Sequence, residues 1–98
     1  MNNNQKYEVV KTAAFKRDYK AIMSRGKYNM ALLEEAVDIL AETGTLPEKY
    51  RDHKLIGNWK GHRECHIATD WLLIYKIEKN TLVLTLTRTG TRSILFKK

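Results

Sequence analysis

At 98 residues the chain has the length of one small domain, enough to bury a single core and too short for a second. Its net charge of +7 points part of the surface toward a polyanion, while one cysteine excludes an internal disulfide and fits a reducing compartment. The opening MNNNQKYE has no apolar stretch of the signal-peptide kind, and no apolar run approaches the roughly 20 residues that span a bilayer. A soluble cytoplasmic protein without membrane contact is expected. The charge is uneven: residues 34–52 hold six acidic and two basic groups, so the rest of the chain is more basic than the total suggests.

In chain order, Tyr7 to Lys11 reads as a short strand, and Thr12 offers a helix N-cap before Ala13 and Ala14. Phe15, Tyr19 and Ile22 recur at helical spacing with Lys16, Arg17 and Lys20 turned elsewhere, and Arg25-Gly26-Lys27 ends that helix. A second helix, Asn29 to Thr43, pairs an apolar stripe of Leu33, Ala36, Val37 and Leu40 with an acidic face. Gly44 and Pro47 stop it. The short gap between the two helices predicts an αα-hairpin.

Residues 45–60 read as a loop with a short strand at His53 to Leu55. Three strands follow, His62–Ile67, Trp71–Ile77 and Thr81–Arg88, joined by turns short enough for an antiparallel meander. Strict alternation in the last strand sets Leu82, Leu84, Leu86 and Arg88 on one face, so Arg88 must leave the core or meet an anion. The expected fold is a single α+β domain over residues 1–98. In it a small antiparallel sheet, made of the N-terminal strand and a three- to four-stranded meander, packs on the helical hairpin.

All three histidines, both tryptophans and the cysteine fall between His53 and Trp71. On a strand, His62 and His66 stand roughly 13 Å apart, so no metal site and no cofactor is expected. Cys65 and His66 point to opposite faces, which leaves Cys65 to pack with Ile67 rather than act as a nucleophile. Acid–base chemistry on a phosphate remains, beside the plainer reading of surface or capping histidines. It requires a base, an acid and cations. Imidazoles and Asp70 can move protons, Arg88, Arg63, Lys54 and Lys60 are cations, and Trp71 and Phe96 offer flat faces for an unstacked base.

The runs Asp52-His53-Lys54-Leu55, Gly57 with Trp59-Lys60-Gly61, His62-Arg63-Glu64-Cys65-His66-Ile67, Asp70-Trp71-Leu72-Leu73-Ile74-Tyr75, and Arg88-Thr89-Gly90-Thr91 with Leu95-Phe96 resemble the YafQ branch of the RelE/ParE toxin superfamily. The resemblance implies a bacterial type II toxin of RelE-like fold, neutralised by a cognate antitoxin and cleaving messenger RNA in the ribosomal A site without a metal. It assigns His53, His66 and Asp70 to the acid–base group, Arg88 to transition-state stabilisation, and Trp71 and Phe96 to shaping the site. Lys54, Lys60 and Arg63 become phosphate contacts for mRNA or ribosomal RNA. A non-catalytic toxin on the same fold, of the gyrase-inhibiting ParE kind, is the alternative.

One position departs from the pattern. Where such toxins carry Gly-Thr-His, this chain has Gly90-Thr91-Arg92, and a guanidinium donates hydrogen bonds but cannot act as a general base. Arg92 fits a natural variant whose proton transfer has passed to His66, His53 or Asp70, a natural lesion, or an introduced substitution that tames a toxic protein.

Overall fold

The first helix is bounded by residues that satisfy its ends. In the computed structural model, which describes residues 5–96, the Thr12 side chain accepts from the Phe15 N–H at 2.9 Å and Gly26 takes the left-handed cap after α1 (Ala13–Arg25). Asn29 caps α2 (Met30–Thr43) through the Ala31 N–H, and Gly44 ends it at φ 79°. A Cβ at Gly44 would lie 2.9 Å from the Tyr7 hydroxyl, so both the turn and the close approach require glycine.

Five strands form one sheet in the order β1-β5-β4-β3-β2: β1 (Glu8–Lys11), β2 (His53–Lys54), β3 (Arg63–Ala68), β4 (Trp71–Glu78) and β5 (Val83–Gly90). The meander β2 to β5 is antiparallel as expected, but β1 joins β5 in parallel, because the helical hairpin carries the chain from one to the meander. Short 3-10 turns at Glu48–Tyr50 and Gly57–Trp59 organise the loop that the sequence left irregular, and a last helical turn, α3 (Arg92–Leu95), follows β5.

The sheet has two differently covered faces. Phe15, Ile22, Leu33, Ala36 and Leu40 of the helices pack on Trp71, Leu73, Tyr75, Leu84 and Leu86, together with Cys65 and Ile67. On the other face Leu72 and Ile74 pack with Leu95, Leu55, Trp59 and Phe96. Beside this smaller cluster lie the partly exposed side chains of His53, His66 and Arg92.

Two strand expectations shift. Leu82 lies before β5, half-exposed at φ 56°, so the last strand begins two residues later than its alternation suggested. More important, the β4–β5 register pairs Tyr75 with Leu86 but Ile74 with Arg88, so Thr87 is an extra residue in a bulge. The bulge turns Arg88 out of the Leu84–Leu86 row onto the face of Ile74.

Trp71 is fully buried, its indole N–H donating to Thr89 Oγ1 at 2.8 Å and its ring 5.0 Å from that of Tyr28. It is core, and it offers no face to a nucleobase. Trp71→Ala is expected to cost about 3–5 kcal/mol of stability, read as a lowered midpoint in chemical denaturation.

Candidate active site

Strand pairing writes the site. The register aligns His53 with Glu64, Glu64 with Ile74 and Ile74 with Arg88, one row across four strands on the second face. His66, two residues beyond Glu64, occupies the next row opposite Leu72. Thr91 caps α3 by accepting from the Ile94 N–H, which places Arg92 at the helix start above the same face.

Three of the expected residues converge on one to which the sequence reading gave no role. Glu64 is fully buried, and its Oε2 lies 2.6 Å from Arg92 Nη2, 3.3 Å from His53 Nε2 and 3.9 Å from His66 Nε2. A buried carboxylate demands such partners, since an isolated charge away from water is prohibitively costly. Its other oxygen, Oε1, has no hydrogen-bond partner among the described residues. The signal for Glu64 was present: if Cys65 and Ile67 point into the core, Glu64 and His66 share the opposite face.

Each arm of the cluster is oriented. His53 Nδ1 lies 3.0 Å from the Arg51 carbonyl. A carbonyl only accepts, so Nδ1 carries the hydrogen in that bond and Nε2 faces Glu64. Burial lowers the His66 pKa below the ordinary imidazole value; Glu64 opposes the shift, and Arg51, Arg92 and His53 add to it. Arg92, more than half exposed, also stands over the Phe96 ring at 5.3 Å, and Phe96 meets Trp59 edge-on. Phe96 therefore borders the site, while Leu72 and Ile74 floor it.

Other expected residues lie elsewhere. Asp70 is exposed in the β3–β4 turn, with no hydrogen bond or ion pair among the described residues to tie it to Glu64. Arg88 does meet an anion, but it is Asp18 of α1: Nε and Nη2 donate to the two carboxylate oxygens at 2.6 and 3.1 Å, and this bonding raises the arginine pKa. Asp18 also accepts from the Thr89 N–H, sealing the β5 edge where β1 has ended. Asp18→Ala is expected to lower stability by about 1.5–3 kcal/mol, the range for hydrogen bonds to charged groups, and to free Arg88; a thermal melt checks the first.

Lys54, Lys60 and Arg63 line a separate groove with His62 and Lys79. Arg63 pairs across β3–β4 with core-facing Tyr75, so this groove opens away from the Glu64 row. Its guanidinium donates to Asp52 at 2.5 Å, and Asp52 also accepts from the Tyr75 hydroxyl. The spacing argument against metal binding overlooked β2: among the described residues His62 is not part of any ligand group, yet the strand brings His53 beside Glu64 and His66, with their ligand atoms all within 4.8 Å.

The chain resembles YafQ as seen in the crystal structure of the Escherichia coli DinJ–YafQ toxin–antitoxin complex, with a TM-score of 0.83 and 35% identity over 93% of this chain and 98% of that one. A metal-bound toxin from Helicobacter pylori gives a TM-score of 0.81 and 38% identity over 92% and 99% of the two chains. Residues 7–97 match the family described as bacterial toxin of type II toxin-antitoxin system, YafQ, and the chain belongs to that family. The mRNA interferase toxin YafQ of E. coli strain K12 is 43% identical over 74 residues, covering 76% of this chain and 72% of that protein.

Proposed function

We propose that the protein is the toxin of an antitoxin-paired system and an mRNA interferase, cleaving messenger RNA in the ribosomal A site by acid–base catalysis. The observation that carries this reading is the convergence of His53, His66 and Arg92 on Glu64 on the second face of the sheet. The naming of its E. coli relative as an mRNA interferase supports the nuclease over the gyrase-directed alternative.

In this scheme His66, biased by burial toward the neutral ring, takes the proton of the attacking 2′-hydroxyl. The oxygen attacks the adjacent phosphorus, and His53 Nε2 returns a proton to the departing 5′-oxygen. Glu64 holds both rings and Arg92 in register, and the guanidinium N–H groups not spent on Glu64 neutralise the phosphorane-like transition state. Phe96 provides an apolar edge for the substrate. The groove of Lys54, Lys60 and Arg63 holds phosphates of mRNA or ribosomal RNA at a distance from the cut.

The cognate antitoxin binds the basic surface with acidic residues and competes with RNA for it. Primer extension on programmed ribosomes tests the reading. Cleavage confined to A-site codons, absent from naked RNA and abolished by antitoxin, is the expected result. Intact mRNA with arrested replication would favour the gyrase-directed alternative.

A further inference from the structure

We propose that Asp52 is the positioning residue of His53: its carboxylate, gripped on the helix side of the sheet, sets where the imidazole stands against Glu64 on the other side. The kinetic consequence rests on the nuclease reading above; the placement of the ring does not. β2 needs such an anchor because it is a two-residue strand at the sheet edge, His53–Lys54, paired with Glu64 and Arg63 and prolonged by the bond from the Leu55 N–H to the His62 carbonyl. So short a ladder is among the first parts of a fold to open.

Neighbouring residues along a strand point to opposite faces, and Asp52 directly precedes His53. His53 faces Glu64, while Asp52 reaches the helix side, where Arg63 Nε donates to its Oδ1 at 2.5 Å and the Tyr75 hydroxyl donates to Oδ2. Arg63 belongs to β3 and Tyr75 to β4, so one carboxylate ties the entrance of β2 to two strands at once. Only 12% of the Asp52 side chain is exposed, and charge-assisted bonds in such a setting are strong. Burial first, and then the bond to Asp52, pushes the Tyr75 phenol above its ordinary value, which keeps the donated proton in place.

Arg51 shows what this anchor holds. It stands at φ 53°, a left-handed conformation that a residue with a Cβ keeps only where its surroundings enforce it. Its carbonyl meets His53 Nδ1 at 3.0 Å, and that bond fixes the tautomer and turns Nε2 toward Glu64. Asp52 sits between the two residues. Once it is released, Arg51 can relax, the carbonyl leaves Nδ1, and the half-exposed ring turns toward solvent. Glu64 is a weak substitute as an anchor, because the oxygen that faces His53 at 3.3 Å is already bound by Arg92 at 2.6 Å.

The test is Asp52→Asn in the full chain, read by imidazole NMR at a pH where the ring is neutral and by single-turnover cleavage on programmed ribosomes. Asparagine keeps the size and loses the charge, and circular dichroism checks that the variant is folded at the assay temperature. Expected is a change in His53 from one Nδ1–H tautomer to a mixture, with kcat lowered by about 10²-fold, the cost of a misplacement of roughly 1 Å. Ribosome association should be undiminished, because Arg63 keeps its charge. Tyr75→Phe, which removes one donor and spares the carboxylate, should move the His53 spectrum the same way by less. In a His53→Ala background, Asp52→Asn should slow cleavage no further. An Asp52 that only stabilises the fold would leave the His53 spectrum and the kcat of the folded variant unchanged; that result, or equal slowing of the parent and of His53→Ala, would overturn the proposal. Absence of cleavage by the parent protein would count against the nuclease reading alone, and the His53 spectrum would then decide the placement.

Discussion

Glu64→Gln is expected to slow mRNA cleavage by about 10²–10⁴-fold, the range for loss of positioned acid–base catalysis. Glutamine keeps the volume and leaves a carbonyl for Arg92, so the fully buried position is not emptied as it would be by alanine. What disappears is the negative charge that draws His53 Nε2, His66 Nε2 and Arg92 Nη2 to one oxygen. The loss should fall on kcat, with ribosome association by sedimentation unchanged, because Glu64 is behind the groups that touch RNA. Adding His53→Ala to Glu64→Gln should slow the reaction little further, since groups acting as a unit are not additive. A Gln variant that cut at the parent rate, folded and ribosome-bound, would remove the Glu64 cluster from the reaction.

The sequence carried the local elements because their signals are local. Thr12, Gly26 and Gly44 act within one helical turn and bound their helices where the sequence placed them, while Asn29, read as the first residue of the second helix, is its cap. The parallel seat of β1 and the covering of the second sheet face depend on where distant segments dock, which no periodicity records. Arg88 shows the limit most clearly. A single extra residue at Thr87 inverts its face, and its partner Asp18 lies 70 residues away. Alternation predicts that Arg88 must leave the core or meet an anion, but a bulge is invisible to it.

The site was legible in the same partial way. His53, His66 and Arg92 were singled out and meet in space, yet the residue that joins them was hidden in plain view between Arg63 and Cys65. The two aromatic candidates separated for a physical reason. Trp71 is aligned with Leu73 and Tyr75 on the helix side of β4 and is buried there, whereas Phe96 follows α3 and borders the cluster. Lys54, Lys60 and Arg63 were grouped by charge and do share a groove, but pairing of Arg63 with Tyr75 puts it on the other side of the sheet from Glu64.

Arg92→His is the second large expected effect, a rise in cleavage of about 10²–10⁴-fold. Residue 92 opens α3 directly above Glu64, so an imidazole there, oriented by Glu64, can take over the proton return to the 5′-oxygen that otherwise falls to half-exposed His53. The guanidinium now in place cannot act as a general base, and it contributes charge and hydrogen bonds, one of them to Glu64. The substitution also removes a permanent cation from the site, so part of the gain is offset by weaker stabilisation of the transition state; substrate affinity should fall as kcat rises. Single-turnover cleavage on programmed ribosomes separates the two effects. If Arg92→His cuts no faster, the proton chemistry already rests wholly on His53 and His66, and Arg92 serves the reaction as a fixed charge. If Arg92→Ala then loses activity, that charge is itself part of the catalysis, and the arginine is a working variant rather than a lesion.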